Sequence, residues 1–161
     1  MSKRKSSPRQ LASGDVATNR QARFKYHLLD KFEAGIALQG SEVKSVRDGK
    51  VNIGDSYAVV RDGEVWLYGS HISPYAPAAA QNHDPERPRK LLLRRSEIER
   101  LIGKTQEKGF TLVPTRMYFS GSNAKVELAL ARGKERGDKR EAIKEREQKR
   151  EMERALKERM R

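Results

Sequence analysis

Ser56-Tyr57-Ala58-Val59-Val60-Arg61-Asp62-Gly63-Glu64-Val65-Trp66-Leu67-Tyr68 places two short runs of β-formers on either side of an Asp-Gly pair. Asp-Gly supplies two residues that tolerate positive φ, which a two-residue hairpin turn requires, so 56–61 and 64–68 are read as paired antiparallel strands. A second pair of runs, Phe110 to Phe119 and Ala124 to Ala131, flanks Ser120-Gly121-Ser122-Asn123 and reads the same way. In its second strand Val126, Leu128 and Leu130 fall on one face and Lys125, Glu127 and Ala129 on the other, the period of a half-buried strand.

Working outward, Phe24 to Leu38 alternates loosely around Gly35, as a long strand with a bulge or bend would. Gly40 to Gly49 reads as a short helix capped by Ser41, with Val43 and Val46 on one face and Lys44 and Arg47 side by side away from it. Residues 69–88 are rich in Pro, Ala and Asn and read as a long surface loop, functional or mobile. Ser96-Glu97-Ile98-Glu99 reads as a capping box opening a second helix, buried through Ile98, Leu101 and Ile102.

About five strands and two short helices with no βαβ rhythm predict a mainly β domain over 18–132. A small antiparallel barrel of OB type is the commonest scaffold of that kind for nucleic acid, and a two-sheet sandwich fits the same pattern. Residues 1–17 have little to bury and are expected to form a disordered basic arm. Residues 133–161 carry 12 Lys/Arg and 8 Asp/Glu among 29 positions. That composition predicts a basic tail, mostly unstructured when free and helical against a polyanion.

The chain of 161 residues carries a formal charge of +13. The arm accounts for +3 (four basic, one acidic), the tail for +4, and the body keeps the remaining +6. Charge spread over all three parts favours a polyanionic partner, because each cation placed on a phosphate releases condensed counterions. No apolar run approaches a membrane span. The basic N-terminus is followed by no apolar stretch of a secretory signal, so a cytoplasmic protein without membrane contact is expected. Cysteine is absent, which excludes a disulfide framework and Cys-ligated zinc. His27, His71 and His83 stand in no ligand spacing, and no phosphate loop or nucleophile elbow occurs. No metal site, cofactor or catalytic group is expected.

The positive signal is basic clusters at element ends: Asn19-Arg20-Gln21-Ala22-Arg23, Lys44 with Arg47, and Arg87 to Lys90, including Arg89 and Lys90. Tyr57, Trp66, Tyr68 and Tyr75 are of a type that stacks on unpaired bases, although Trp66 in a strand reads rather as core. RNA binding is the reading these favour. The rivals are an RNA-processing enzyme, which needs a metal or acid/base cluster, and a structural ribosomal RNA-binding protein.

Taken together, the motifs resemble a known family. Asn19-Arg20-x-Ala22-Arg23, Phe32-Glu33-Ala34-Gly35-Ile36-x-Leu38-x-Gly40-x-Glu42-Val43-Lys44-Ser45, Asp55-Ser56-Tyr57, His71-Ile72-Ser73-Pro74, Asn82-His83-Asp84-Pro85, Arg89-Lys90-Leu91-Leu92-Leu93 and Gly133-Lys134-x-x-x-Asp138-Lys139-Arg140 occur in unbroken order. They resemble the bacterial SsrA-binding proteins (small protein B) from about Asn19 to Arg140. The resemblance implies an OB-type barrel that binds the tRNA-like domain of transfer-messenger RNA and brings it to stalled ribosomes. It implies a tail helical along the empty mRNA path near the decoding centre and ribosomal RNA; a monomer in a one-to-one complex is the simplest arrangement. It also implies RNA contacts by Asn19, Arg20, Arg23, Glu33, Lys44 and Leu93. Tail function would rest on Gly133, Lys134, Asp138, Lys139 and Arg140. Glu33 is the informative member: a carboxylate on an RNA surface must accept from a base or hold a neighbouring Arg. The chain departs from the family at Glu135, where a second lysine is common, and at Gly137, where an aromatic residue or His is frequent.

Overall fold

The computed structural model describes residues 14–107, 109–134 and 136–160. Among them run β1 (Asp15–Thr18), α1 (Ala22–Lys25), β2 (Tyr26–Ile36), α2 (Gly40–Arg47), β3 (Val51–Asn52), β4 (Tyr57–Arg61), β5 (Glu64–Tyr68), β6 (His71–Ile72), a 3₁₀ turn (Ala76–Gln81), β7 (Arg89–Leu92), α3 (Arg95–Thr105), β8 (Phe110–Ser120), β9 (Asn123–Gly133) and α4 (Arg136–Arg159). The protein is mainly β, with one large antiparallel sheet and a few helices. Strands lie in the order β1-β8-β4-β5-β7-β2-β9, and β9 pairs back onto β8, so six strands form a closed circuit of pairings with β1 flanking β8. β3 and β6 form a separate two-residue pair.

Both hairpins form where their turn residues predict. Asp62 and Gly63 take φ of 52° and 73°, and β4 meets β5 from Tyr57↔Tyr68 to Arg61↔Glu64. β8 meets β9 from Phe110↔Arg132 to Ser120↔Asn123 around Gly121 at φ 60°. Val126, Leu128 and Leu130 point into the core with Ala34, Val65, Leu67, Leu91 and Leu112. Trp66 does not: with Val65 and Leu67 inside, alternation turns it outward, half-buried.

A bulge in β8, where the register against β9 shifts between Pro114 and Arg116, shapes the surface beside β1. Leu112 and Met117 are five residues apart, so a regular strand would send them to opposite faces, yet both are fully buried in one core. The extra residue at Thr115 reconciles them. Pro114 has no N–H to give to the ladder, which suits a bulge.

Several local expectations need correction. The arm does not extend to residue 17: Asp15, Val16 and Ala17 belong to β1, paired with β8, because Ala17 is buried in the core. The rest of the expected arm, residues 1–13, lies outside the described residues. Phe24 and Lys25 belong to the single turn of α1, and the irregularity of β2 lies between Leu28 and Lys31, where its register on β9 shifts, not at Gly35. Gly35 serves a close approach: a Cβ there would stand 3.3 Å from Leu92 Cβ. The α2 cap is a box formed by Gln39 and Glu42, and Ser41 instead faces inward. α3 starts at Arg95 after Arg94, so Ser96 is already inside it and caps nothing. None of the described helices is long and apolar enough to cross a membrane.

Candidate nucleic-acid interface

The bulge leaves two carbonyls facing the end of β1, and Asn19 takes both. Its backbone N–H donates to Thr115 O at 2.7 Å and its side-chain Nδ2 to Pro114 O at 2.9 Å. Asn19 is only 8% exposed, so it is a peg that fixes the entry into α1 rather than a surface group. Its Oδ1 has no hydrogen-bond partner. Beyond the peg Arg20 and Arg23 are exposed. They border an open cavity of about 390 Å³ that also takes in Lys31, Arg116, Glu127 and Arg146.

Arg116 is held from three sides. Its Nη1 donates to Asp15 Oδ1 at 2.8 Å, its Nε donates to Glu127 Oε2 at 3.1 Å, and its guanidinium carbon lies 4.2 Å from the Tyr118 ring centroid. The hydrogen bonds to Asp15 and then Glu127 raise its pKa further above the ordinary arginine value. Burial pushes Glu127 up, but hydrogen bonds from Thr115 and Arg116 and the nearby Lys31 ammonium, 3.6 Å away, outweigh it and hold the carboxyl below its usual range. Tyr118 in turn donates its hydroxyl to Glu33 Oε2. Burial first, and this bond second, push the phenol up to about 12. Glu33 is thus joined to Arg116 through the Tyr118 side chain.

Glu33 also borders a shallow pocket of about 480 Å³ with Gly35, Leu92, Leu93 and Lys125. Leu93 is half-buried against the core, whereas Leu92 is 53% exposed. Both leucines line this pocket, Leu92 the more exposed of the two.

On α2, Lys44 Nζ stands 5.4 Å from the Tyr75 ring centroid and the Arg47 guanidinium 5.8 Å from that of Phe119. The inward face of this helix carries Ser41, Glu42 and Ser45 beside the core residue Val46. Glu42, 0% exposed, accepts from Arg87 and Arg89 and from the Gln39 backbone N–H. Burial opposes its charge, but these donors prevail and its carboxyl lies below the usual range. Arg89, expected on the RNA surface, is instead fully buried. Besides Glu42 it donates to Ser70 Oγ at 2.9 Å and Pro85 O at 3.0 Å, tying the 69–88 loop to the core. Burial lowers its pKa, with Glu42 pulling the other way. The Asn82-His83-Asp84-Pro85 motif is part of the same fastening. Asn82 exchanges hydrogen bonds of 2.9 and 2.8 Å with the backbone of Tyr75, and His83 bridges Ser41 Oγ and Ile72 O at 2.8 and 2.9 Å. Lys90 lies on the outer face and donates to Glu64 at 2.9 Å.

At the other end, Gly133 closes β9 and the Lys134 N–H donates to Lys25 O at 3.1 Å, so the tail leaves beside α1. The described tail forms α4, with Asp138, Lys139 and Arg140 in its first turns. Arg146 lies 5.2 Å from the Phe24 ring centroid. Glu135 lies outside the described residues.

The structure thus brings Asn19, Arg20 and Arg23 together, links them through Arg116 and Tyr118 to Glu33 and Leu93, and sets Lys44 and Arg47 on the neighbouring helix. Sequence reasoning missed Lys31, Arg116, Tyr118, Leu92 and Lys125. The one signal for Arg116 was Pro114, which marks a break in strand alternation two residues earlier.

Residues 16–158 match the family model described as SmpB protein. The SsrA-binding protein of Carboxydothermus hydrogenoformans is 57% identical over 141 residues, covering 88% of this chain and 95% of that one. That of Trichodesmium erythraeum is 56% identical over 143 residues, covering 88% and 92%. A solved structure described as "tmRNA-SmpB: a journey to the center of the bacterial ribosome" superposes with a TM-score of 0.64 at 50% identity, over 79% of this chain and 93% of that chain. With the family model spanning nearly the whole chain and relatives this similar in both sequence and structure, the chain belongs to the SmpB protein family.

Proposed function

We propose that this protein binds the tRNA-like domain of transfer-messenger RNA and delivers it to stalled ribosomes, where the stalled peptide is released by trans-translation. The observation that carries this reading is the match to SsrA-binding proteins over 88% of the chain. The connected strip from Arg20 and Arg23 through Arg116 and Tyr118 to Glu33 supplies a surface for it. The closed circuit of strand pairings supports reading the body as an OB-type barrel. On this reading Arg20, Arg23, Glu33, Lys44, Arg47, Lys90 and Leu93 face the RNA, Asn19 and Arg89 hold the scaffold behind them, and α4 with Lys134, Lys139 and Arg140 lies in the mRNA path. The protein acts as a cytoplasmic monomer, one per RNA, and as a binder without catalytic chemistry.

The test is equilibrium binding to full-length transfer-messenger RNA and to ordinary tRNA at two salt concentrations. A large preference for the former that survives the higher salt supports shape recognition. Equal binding that collapses with salt reduces the protein to a nonspecific phosphate binder.

A further inference from the structure

Arg116 is an unusual cation for an RNA surface. Asp15 and Glu127 both bond to it, at 2.8 and 3.1 Å, so its charge is already compensated and a phosphate arriving there would meet two carboxylates. As a phosphate anchor it is poor. What remains is a flat, weakly hydrated guanidinium fixed in place, with one face against the Tyr118 ring, yet 38% exposed at the wall of the cavity beside α1. Guanidinium planes and aromatic rings are the platforms on which unpaired bases stack. The cavity volume of about 390 Å³ falls in the range of small-ligand sites. The exposed cations at its border, Arg20 and Arg23, have no such compensation from Asp15 or Glu127 and suit phosphates.

We propose that this cavity receives one unpaired base of the bound RNA, stacked on the Arg116 guanidinium, with Arg20 and Arg23 holding the phosphates beside it. The proposal rests on the RNA-binding reading above and deepens it. It assigns the chain of contacts Glu33–Tyr118–Arg116 a purpose, which is to keep the platform flat and in register with the cavity.

The discriminating substitution is Arg116→Lys in the full chain, which retains the positive charge and loses the plane. With full-length transfer-messenger RNA as the probe, binding should weaken by on the order of tenfold or more, since stacking one base is worth that much, while the slope of log K against log salt stays as in the native protein. Arg20→Ala with Arg23→Ala should instead flatten that slope, as lost phosphate contacts do. Chemical probing of the RNA bases gives a second readout, independent of any change in protein stability. The native protein should shield one unpaired base that becomes reactive again with Arg116→Lys, while backbone protection persists. Arg116→Lys binding like the native chain overturns the proposal, and so does an unchanged pattern of base protection. A flattened salt slope for Arg116→Ala but not Arg116→Lys also overturns it, by making Arg116 a phosphate contact. Absence of any RNA binding by the native chain is a different result: it removes the functional reading itself.

Discussion

Glu42 and Arg89 form an ion pair in which both side chains are 0% exposed. Arg87 bonds the other carboxylate oxygen, so one buried acid serves two guanidinium groups from the strand and loop opposite. Removing one partner of such a pair leaves an uncompensated buried charge. Glu42→Ala is therefore expected to cost about 3–5 kcal/mol of stability, read as a fall in the urea midpoint.

The same pair predicts an acid dependence. The Glu42 and Glu127 carboxyls both lie below their usual range in the folded chain. The unfolded state then binds more protons, so the stability they contribute is complete above about pH 4.3 and is lost as pH falls through the folded values. Urea midpoints measured across this range should decline toward acid. The decline should be shallower in Glu42→Gln.

Glu33→Ala should weaken transfer-messenger RNA binding by about 1–2 kcal/mol, roughly five- to thirty-fold, even though it makes the protein more basic. Tyr118→Phe removes the hydroxyl that Glu33 accepts and should act in the same direction. Unchanged or tighter binding by Glu33→Ala would sink the role assigned to this carboxylate.

Tyr118 also carries an alkaline signature. With its phenol pushed up to about 12 against an unfolded value near 10, the folded state holds the proton longer. Its contribution is intact below about pH 10 and lost as pH rises toward 12. Ultraviolet titration of tyrosinate should show one late phenol that disappears in Tyr118→Phe.

Truncation after Gly133 should leave RNA affinity within a few-fold and reduce peptide tagging to background, because every member of the strip except Arg146 lies on or beside the strands and α1. Loss of most of the affinity on truncation would instead place the main RNA contact in the tail.

Local chemistry made the hairpins legible: Asp62-Gly63 and Gly121 specify their turns from within, and alternation then assigns Val126, Leu128 and Leu130 to the core. What local chemistry does not carry is any decision made elsewhere in the chain. Arg89 and Lys90 are neighbours in one basic run, yet one is buried and the other faces out, and the residue that allows the burial is Glu42, 47 positions earlier. Asn19 reads as a surface residue until the carbonyls of Pro114 and Thr115, some 95 positions on, claim it. Arg116 stayed hidden for the same reason, since its surroundings come from β1, β8 and β9 at once. The motifs of the family were legible as an ordered set, but their division between scaffold and surface came only with the structure.

The Asp15–Arg116 pair joins residues 101 positions apart, and its third member, Glu127, sits on the strand that closes the circuit. During synthesis, a growing chain that has completed β8 but not β9 holds Arg116 without Glu127, one of the two carboxylates that aim it, and leaves strand edges open to wrong pairing. The cavity proposed to receive RNA is thus among the last parts of the molecule to come into being. Competence for RNA should appear abruptly, within the final stretch of elongation, rather than accumulate with chain length.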